Sequence, residues 1–287
     1  MKGILIYDKA SAEYNKAGIE IYLREAAKLG MQLTVVYSEE LCYGVKNNTH
    51  FVTYQGETLP DIQFAIHRSR DYKLAKQLEY MGIRVFNSSI VNEVGNNKGK
   101  NYQFLAGKRI TMPDTLLVEN ARLEQVLLSC KEDKIVKAVH GHGGNQVCYY
   151  HKDSLEDIAS IKEVMKGEDV VVQSFIKGKG QDLRVYILGN QILGAVLRTA
   201  TTDFRSNYSL GGKVEAYELS ELQIELVQQI LNLIKLDYAG IDFMVAEDGS
   251  LIFNEIEDVV GARMLYECTD LDPIALYVHY IYEVLHN

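Results

Sequence analysis

Ala239-Gly240-Ile241-Asp242-Phe243-Met244-Val245-Ala246-Glu247-Asp248-Gly249-Ser250-Leu251-Ile252-Phe253-Asn254-Glu255-Ile256-Glu257 reads as a β-hairpin. Two apolar-rich runs, 241–246 and 251–256, flank Asp248-Gly249, a pair suited to a two-residue turn because both residues tolerate a positive φ. With that turn Glu247 faces Ser250, and every step outward keeps the sum of the paired residue numbers constant. Asp242 then lies opposite Glu255, and Glu257 projects from the same face as Glu255. Three carboxylates on one patch repel unless they share a proton or meet a cation. A donor set made only of oxygens suits a hard divalent cation, Mg²⁺ first and Mn²⁺ as the alternative. The competing reading is a solvated acidic edge strand. Phe243, Val245, Ile252 and Phe253 argue against it, because a fully exposed hairpin would leave them in water. Asp242, Glu255 and Glu257 are therefore the predicted metal ligands.

Upstream, a second hairpin is expected from runs 183–188 and 192–198 around Gly189-Asn190. Between the hairpins lies an amphipathic helix with an apolar stripe of Leu222, Leu226, Val227, Ile230, Leu231 and Ile234. Ser220 and Gln223 form its capping box. Further back, a strand over 135–139 carries Lys137 and runs into His140-Gly141-His142-Gly143-Gly144-Asn145. A lysine within an apolar strand is costly unless an anion meets it. Gly143 and Gly144 let backbone N–H groups approach phosphate oxygens and let the loop act as a lid. His140 and His142 read as loop polar groups. Asp203-Phe204-Arg205-Ser206-Asn207, followed by Gly211-Gly212, is polar, and Arg205 offers a fork for phosphate or carboxylate.

Residues 1–92 follow a βαβ rhythm, with strands over 4–7, 33–37, 62–67 and 85–86 and helices over 19–29 and Tyr72–Tyr80. A small parallel sheet is expected there. Neither a GxGxxG nor a GxxxxGK[ST] segment occurs, which excludes the common dinucleotide and P-loop signatures. From residue 93 the pattern changes, with a helix over 97–103 and a strand over 170–175. At 287 residues the chain exceeds most single cores. Its net charge of −9 argues against nucleic-acid binding. Its longest apolar runs are too short to span a bilayer, so no membrane partner is expected. The charged Met1–Asp8 start does not read as a signal peptide, and the four cysteines lack ligand spacing. The expected location is cytoplasmic.

Taken in order, these segments resemble the RimK-like branch of the ATP-grasp superfamily, which includes α-L-glutamate ligases. The similarity covers nearly the whole chain. It rests on Cys42-Tyr43 with Tyr54-Gln55-Gly56-Glu57-Thr58-Leu59-Pro60-Asp61 and on the Asp203–Asn207 segment. Ala239-Gly240-Ile241-Asp242 and Asn254-Glu255-Ile256-Glu257 complete it. The resemblance implies an α/β (α+β) ATP-grasp fold. A pre-ATP-grasp lobe with a parallel sheet occupies 1–92, and two lobes that clamp ATP occupy 93–287, divided as 93–176 and 177–287.

The resemblance also implies residue roles. Lys98 and Lys137 hold phosphates, and Gln173-Ser174-Phe175-Ile176 is the hinge that reads adenine. Asp182 lies near the ribose, with Arg184 two residues on. Arg205, Ser206 and Asn207 surround the transferred phosphate, with Arg205 and Asn207 as the catalytic pair. Asp242, Glu255 and Glu257 bind the metal. Two departures stand out: Glu257 where the family usually has asparagine, and Val259-Val260-Gly261 where it has Ser-Pro-Gly, at the expected border of the acceptor pocket.

The implied activity is an ATP- and Mg²⁺-dependent carboxylate–amine ligase that forms an amide through an acylphosphate. Small-molecule carboxylate and amine substrates are expected, the amine being free or carried on a peptide or protein tail. A homo-oligomer is also expected. The alternative is a nucleotide-binding regulatory protein of the same fold without turnover. Asp242→Asn or Glu255→Gln is expected to abolish turnover while leaving the fold intact.

Overall fold

Gly3-Ile4-Leu5-Ile6-Tyr7 is apolar throughout because its strand, Lys2–Tyr7, is buried in the middle of a parallel sheet. The computed structural model describes residues 1–200 and 213–286. In this first sheet Lys2–Tyr7 pairs with Gln32–Tyr37 on one side and Phe64–His67 on the other, and Arg84–Phe86 lies beyond. Gly3 is required at the centre: a Cβ there would sit 2.4 Å from the Phe64 ring. Helices Lys9–Tyr14, Lys16–Lys28 and Tyr72–Tyr80 make the connections. Strands Leu41–Lys46, Thr49–Tyr54 and Glu57–Thr58 form an antiparallel meander that the βαβ reading did not anticipate. Helix Ser89–Gly95 runs across position 92.

A second sheet, antiparallel throughout, orders Val147–Tyr150, Lys134–Ala138, Val170–Ser174 and Thr115–Val118. Helices Leu123–Ser129 and Leu155–Met165 supply the other half of its core. The third sheet orders Lys213–Ala216, Gln191–Thr199, Gly178–Leu188, Tyr238–Ala246 and Leu251–Glu257, again antiparallel. Helix Glu221–Leu231 covers it, starting at the expected Ser220–Gln223 capping box. The expected stripe needs correction at its start. Val227, Ile230, Leu231 and Ile234 are buried, but Leu222, in the first turn, is 77% exposed.

The decisive hairpin forms with Asp242 opposite Glu255 and Gly240 opposite Glu257. The route to that register differs from the expected one. The turn has three residues: the Ala246 N–H donates to the Ser250 carbonyl at 3.0 Å, and Gly249, at φ 87°, donates to the Ala246 carbonyl at 2.9 Å. Near the turn the pairs are therefore Val245 with Leu251 and Met244 with Ile252. A bulge at Asn254 then restores the outer register. Two irregularities offset each other. The chain finally returns to the first lobe, where helix Pro273–His286 packs against Lys16–Lys28 and one core joins Leu5, Tyr22 and Phe64 to Val260, Tyr277 and Ile281.

Candidate functional site

A cavity of about 870 Å³ opens where the three sheets approach one another. Lys98 stands at the start of helix Lys98–Leu105, where Asn97 caps the helix by accepting from the Lys100 N–H at 2.9 Å. The Lys98 ammonium donates to Glu255 Oε2 at 2.6 Å and to the Gly141 carbonyl at 2.7 Å. Lys137, on strand Lys134–Ala138, is 8% exposed and donates to Asn254 Oδ1 at 2.8 Å. Burial pushes the Lys137 ammonium down to about 8; the Glu255 charge opposes the fall and the Lys98 charge adds to it.

The glycine loop lies on the cavity wall. Gly143 and Gly144 take φ values of 64° and 77°, which a side chain would strain. His140 and His142 also line the cavity, and burial, then the Arg70 charge, holds His142 below its usual range. Gln173, Ser174, Phe175 and Ile176 line the cavity as well. Gln173 is 1% exposed; its Nε2 donates to Thr115 Oγ1 at 2.8 Å, and its Oε1 has no donor.

The acidic patch differs from the expected one. Register places Arg184 beside Asp242 and Arg198 beside Asp182. Asp242 accepts from Arg184 Nε at 2.7 Å and Nη2 at 2.6 Å, and from Arg198 Nη2 at 2.8 Å. Arg198 Nε also donates to Asp182 Oδ1 at 2.8 Å, and Arg184 forms an ion pair with Glu257. Burial would raise the Asp242 carboxyl, but the two guanidiniums override it and hold it far below the usual range. Burial raises the Glu257 carboxyl against the pull of Arg184, with Asp242 and Glu255 adding to the rise.

In this structure the charge of Asp242 is met by protein cations rather than left for a metal alone. Its counter-charges are Arg184 on the adjacent strand and Arg198 on the strand beyond that, and it lies 1% exposed behind the wall. Among the described residues, no three His, Cys, Asp or Glu side chains converge as a metal-holding group. Glu255 and Glu257 do line the cavity. Asp182 lines it too, engaged with Arg198.

Lys98, Lys137, Gly143, Gly144, the 173–176 segment, Asp182, Glu255 and Glu257 thus share one cavity. The expected phosphate-side residues Asp203, Phe204, Arg205, Ser206, Asn207, Gly211 and Gly212 lie outside the described residues. The sequence reading missed the contribution of the first lobe, from which Tyr7, Ser11, Tyr14, Arg68 and Arg70 reach the same cavity. A signal was available. His67-Arg68-Ser69-Arg70 directly follows a buried parallel strand, and ligands bind at the carboxyl ends of such strands.

Comparison with known proteins gives concordant results. A family model described as a RimK-like ATP-grasp domain matches residues 95–279. N-acetylaspartylglutamate synthase A of Homo sapiens is 29% identical over 245 residues, covering 80% of this chain and 62% of that protein. The match thus spans under two thirds of that relative's length. A RimK-domain ATP-grasp protein from Sphaerobacter thermophilus superposes with a TM-score of 0.72 at 15% identity, covering 100% of both chains. The ATP-grasp ligase PsnB, solved with a precursor variant, Mg and ADP, gives 0.65 at 16%, covering 99% and 98%. At such identities the likeness speaks to the fold, which this chain shares from end to end.

Proposed function

The chain belongs to the RimK-like ATP-grasp family and has its fold, and from that premise we propose that it is a ligase that joins a carboxylate to an amine with Mg²⁺·ATP. The observation that carries the reading is the convergence of Lys98 and Lys137, from separate elements, on Asn254-Glu255 across one cavity. A buried ammonium with a lowered proton affinity is a site short of an anion, and a nucleotide's phosphates supply one. The buried Gln173 Oε1, without a donor, suits the amino group of an adenine base.

The residues present fit a divalent cation in a reduced form. Mg²⁺ is commonly held by one or two carboxylates together with substrate phosphates, and Glu255 and Glu257 face the cavity to do this. Asp242 acts behind them, fixing Arg184 and through it Glu257. Mn²⁺ is the alternative cation. When bound, ATP activates the substrate carboxylate as an acylphosphate for attack by the amine. The chain's own part is positioning and charge neutralisation: the lysines hold phosphate, and the glycine loop excludes water from an activated acyl group. The acceptor amine belongs to an amino acid, a peptide or a protein tail, and the cytoplasm is the proposed compartment.

The test is ADP and phosphate release from Mg²⁺·ATP with amino acids and other small acids, singly and in pairs. Release that requires an acid–amine pair, with a new amide seen by mass spectrometry, supports the ligase. ADP binding without stimulated release by any pair would favour the silent nucleotide-binding alternative.

A further inference from the structure

Two histidines of the glycine loop line the cavity, and their surroundings differ. His140 has both ring nitrogens engaged: Nδ1 donates to Glu168 Oε2 at 3.3 Å, and Nε2 accepts from Asn97 Nδ2 at 3.4 Å. An amide nitrogen only donates and a carboxylate only accepts, so one tautomer serves both contacts. His142 instead faces the His140 carbonyl with Nδ1, at 3.5 Å. A carbonyl only accepts, so Nδ1 carries the hydrogen and Nε2 keeps its lone pair. Among the described residues, nothing donates to that lone pair.

The position of His142 gives a free base work to do. The residue before it, Gly141, lends its carbonyl to the Lys98 ammonium, which also meets Glu255. His142 therefore stands one residue from the lysine that faces phosphate. Partial burial, then the charges of Arg70 and Lys98, favour its neutral form, and Asp8 opposes them weakly. The ring also keeps solvent access, so a proton it takes can leave to water. The described carboxylates that line the cavity are already engaged: Glu255 with Lys98, Glu257 with Arg184, Asp182 with Arg198.

We propose that His142 Nε2 is the general base that takes the proton from the amine as the amide bond forms. The role rests on the ligase reading of the same cavity, and it adds a chemical step to positioning. The amine nitrogen bonds to the acyl carbon, and the bond from that carbon to the phosphate oxygen breaks. Phosphate leaves with the electron pair. The proton lost by nitrogen passes to Nε2 and from there to water. His140, with both nitrogens occupied, takes no part in the transfer.

Two experiments on the full chain test this. Nitrogen NMR of isotope-labelled histidine reads the ring directly, the His142 signal being the one lost in His142→Gln. The expected state at neutral pH is the uncharged Nδ1–H tautomer; an Nε2–H tautomer or a charged ring would overturn the proposal. The second experiment compares nucleophiles. With Mg²⁺·ATP, each amino acid and small acid is offered either hydroxylamine, which is uncharged at neutral pH, or a second amino acid as the amine. His142→Gln should lose about a hundredfold or more in amide formation, the usual worth of a general base. Hydroxamate formation should stay within about threefold of the parent, because activating the acid makes no use of the base. Raising the pH, which strips the amine of its proton, should narrow the amide deficit. Equal losses with both nucleophiles, or no loss with either, would overturn the base while leaving the ligase reading intact. No hydroxamate from any acid would remove the ligase reading itself, and the base with it.

Discussion

Asp242 accepts three hydrogen bonds from Arg184 and Arg198, so its charge is part of the packed interior. Asp242→Asn leaves two buried guanidiniums facing a neutral amide. Breaking a buried pair this way costs about 3–5 kcal/mol. The expectation of an intact fold in this variant is therefore replaced by one of a clearly lowered denaturation midpoint; an unchanged midpoint would refute the network's structural role. Lys137 gives a pH signature of opposite kind. Burial depresses its proton affinity to about 8 when folded, against about 10.4 when unfolded. Below 8 both states hold the proton and the folded state bears the full cost. Between 8 and 10.4 the unfolded state binds more protons, so stability rises with pH. Lys137→Met should therefore be more stable than the parent at pH 7, with an advantage that shrinks from pH 8 to 10. Urea melts across that range check it, and a constant gap would count against the assignment.

The hairpin shows what a local irregularity does at the scale of an element. The bulge at Asn254 restores the register that sets Asp242 against Glu255 and presents the Asn254 amide to Lys137. Its carbonyl accepts from the Tyr102 hydroxyl at 2.6 Å, and the Tyr102 ring meets Phe253 edge-on. Tyr102→Phe keeps that packing but removes the donor, at a cost of about 1–3 kcal/mol. Nucleotide affinity should fall as well, because the bulge positions the partner of Lys137. Parallel ADP titrations and melts test this, and full stability in the variant would show that the bulge needs no such tie. Apolar-rich runs around Asp248-Gly249 announced both strands, whereas a bulge has no period of its own. Leu222 teaches the same lesson: its helical spacing fits the stripe, but it sits in the first turn of the helix and is exposed.

Across the whole molecule, the first lobe and the last sheet are joined by polar contacts as well as apolar ones. Asp258 is 1% exposed and accepts from Asn87 at 2.8 Å, Asn92 at 2.7 Å and Asn96 at 3.0 Å. Asn87 in turn accepts from the Asp237 and Tyr238 N–H groups at 2.7 and 3.0 Å. Asp258→Ala takes one acceptor from two buried amides, Asn87 and Asn92, and from the half-buried Asn96; each keeps a backbone acceptor, so the cost is on the order of 1–3 kcal/mol. Because one apolar core also spans both units, the variant should still unfold in a single, earlier transition. Separate far- and near-ultraviolet circular dichroism transitions would show that the lobes unfold independently.

The sequence by itself determined local facts: most of the strands that carry the site and the Ser220–Gln223 cap, which period and turn composition encode because they depend on neighbours a few residues away. The family resemblance, rather than period, singled out Lys98 and the 173–176 segment, which with Lys137, the glycine loop, Glu255 and Glu257 line one cavity. Only the tertiary structure decided what neutralises Asp242, because Arg184 and Arg198 reach it across strand pairings some sixty and forty residues distant. Only the tertiary structure, likewise, brought Arg68 and Arg70 to the same cavity as Arg263. Charge balance is a property of the folded interior, where a counter-ion is whatever the fold brings within about 3 Å.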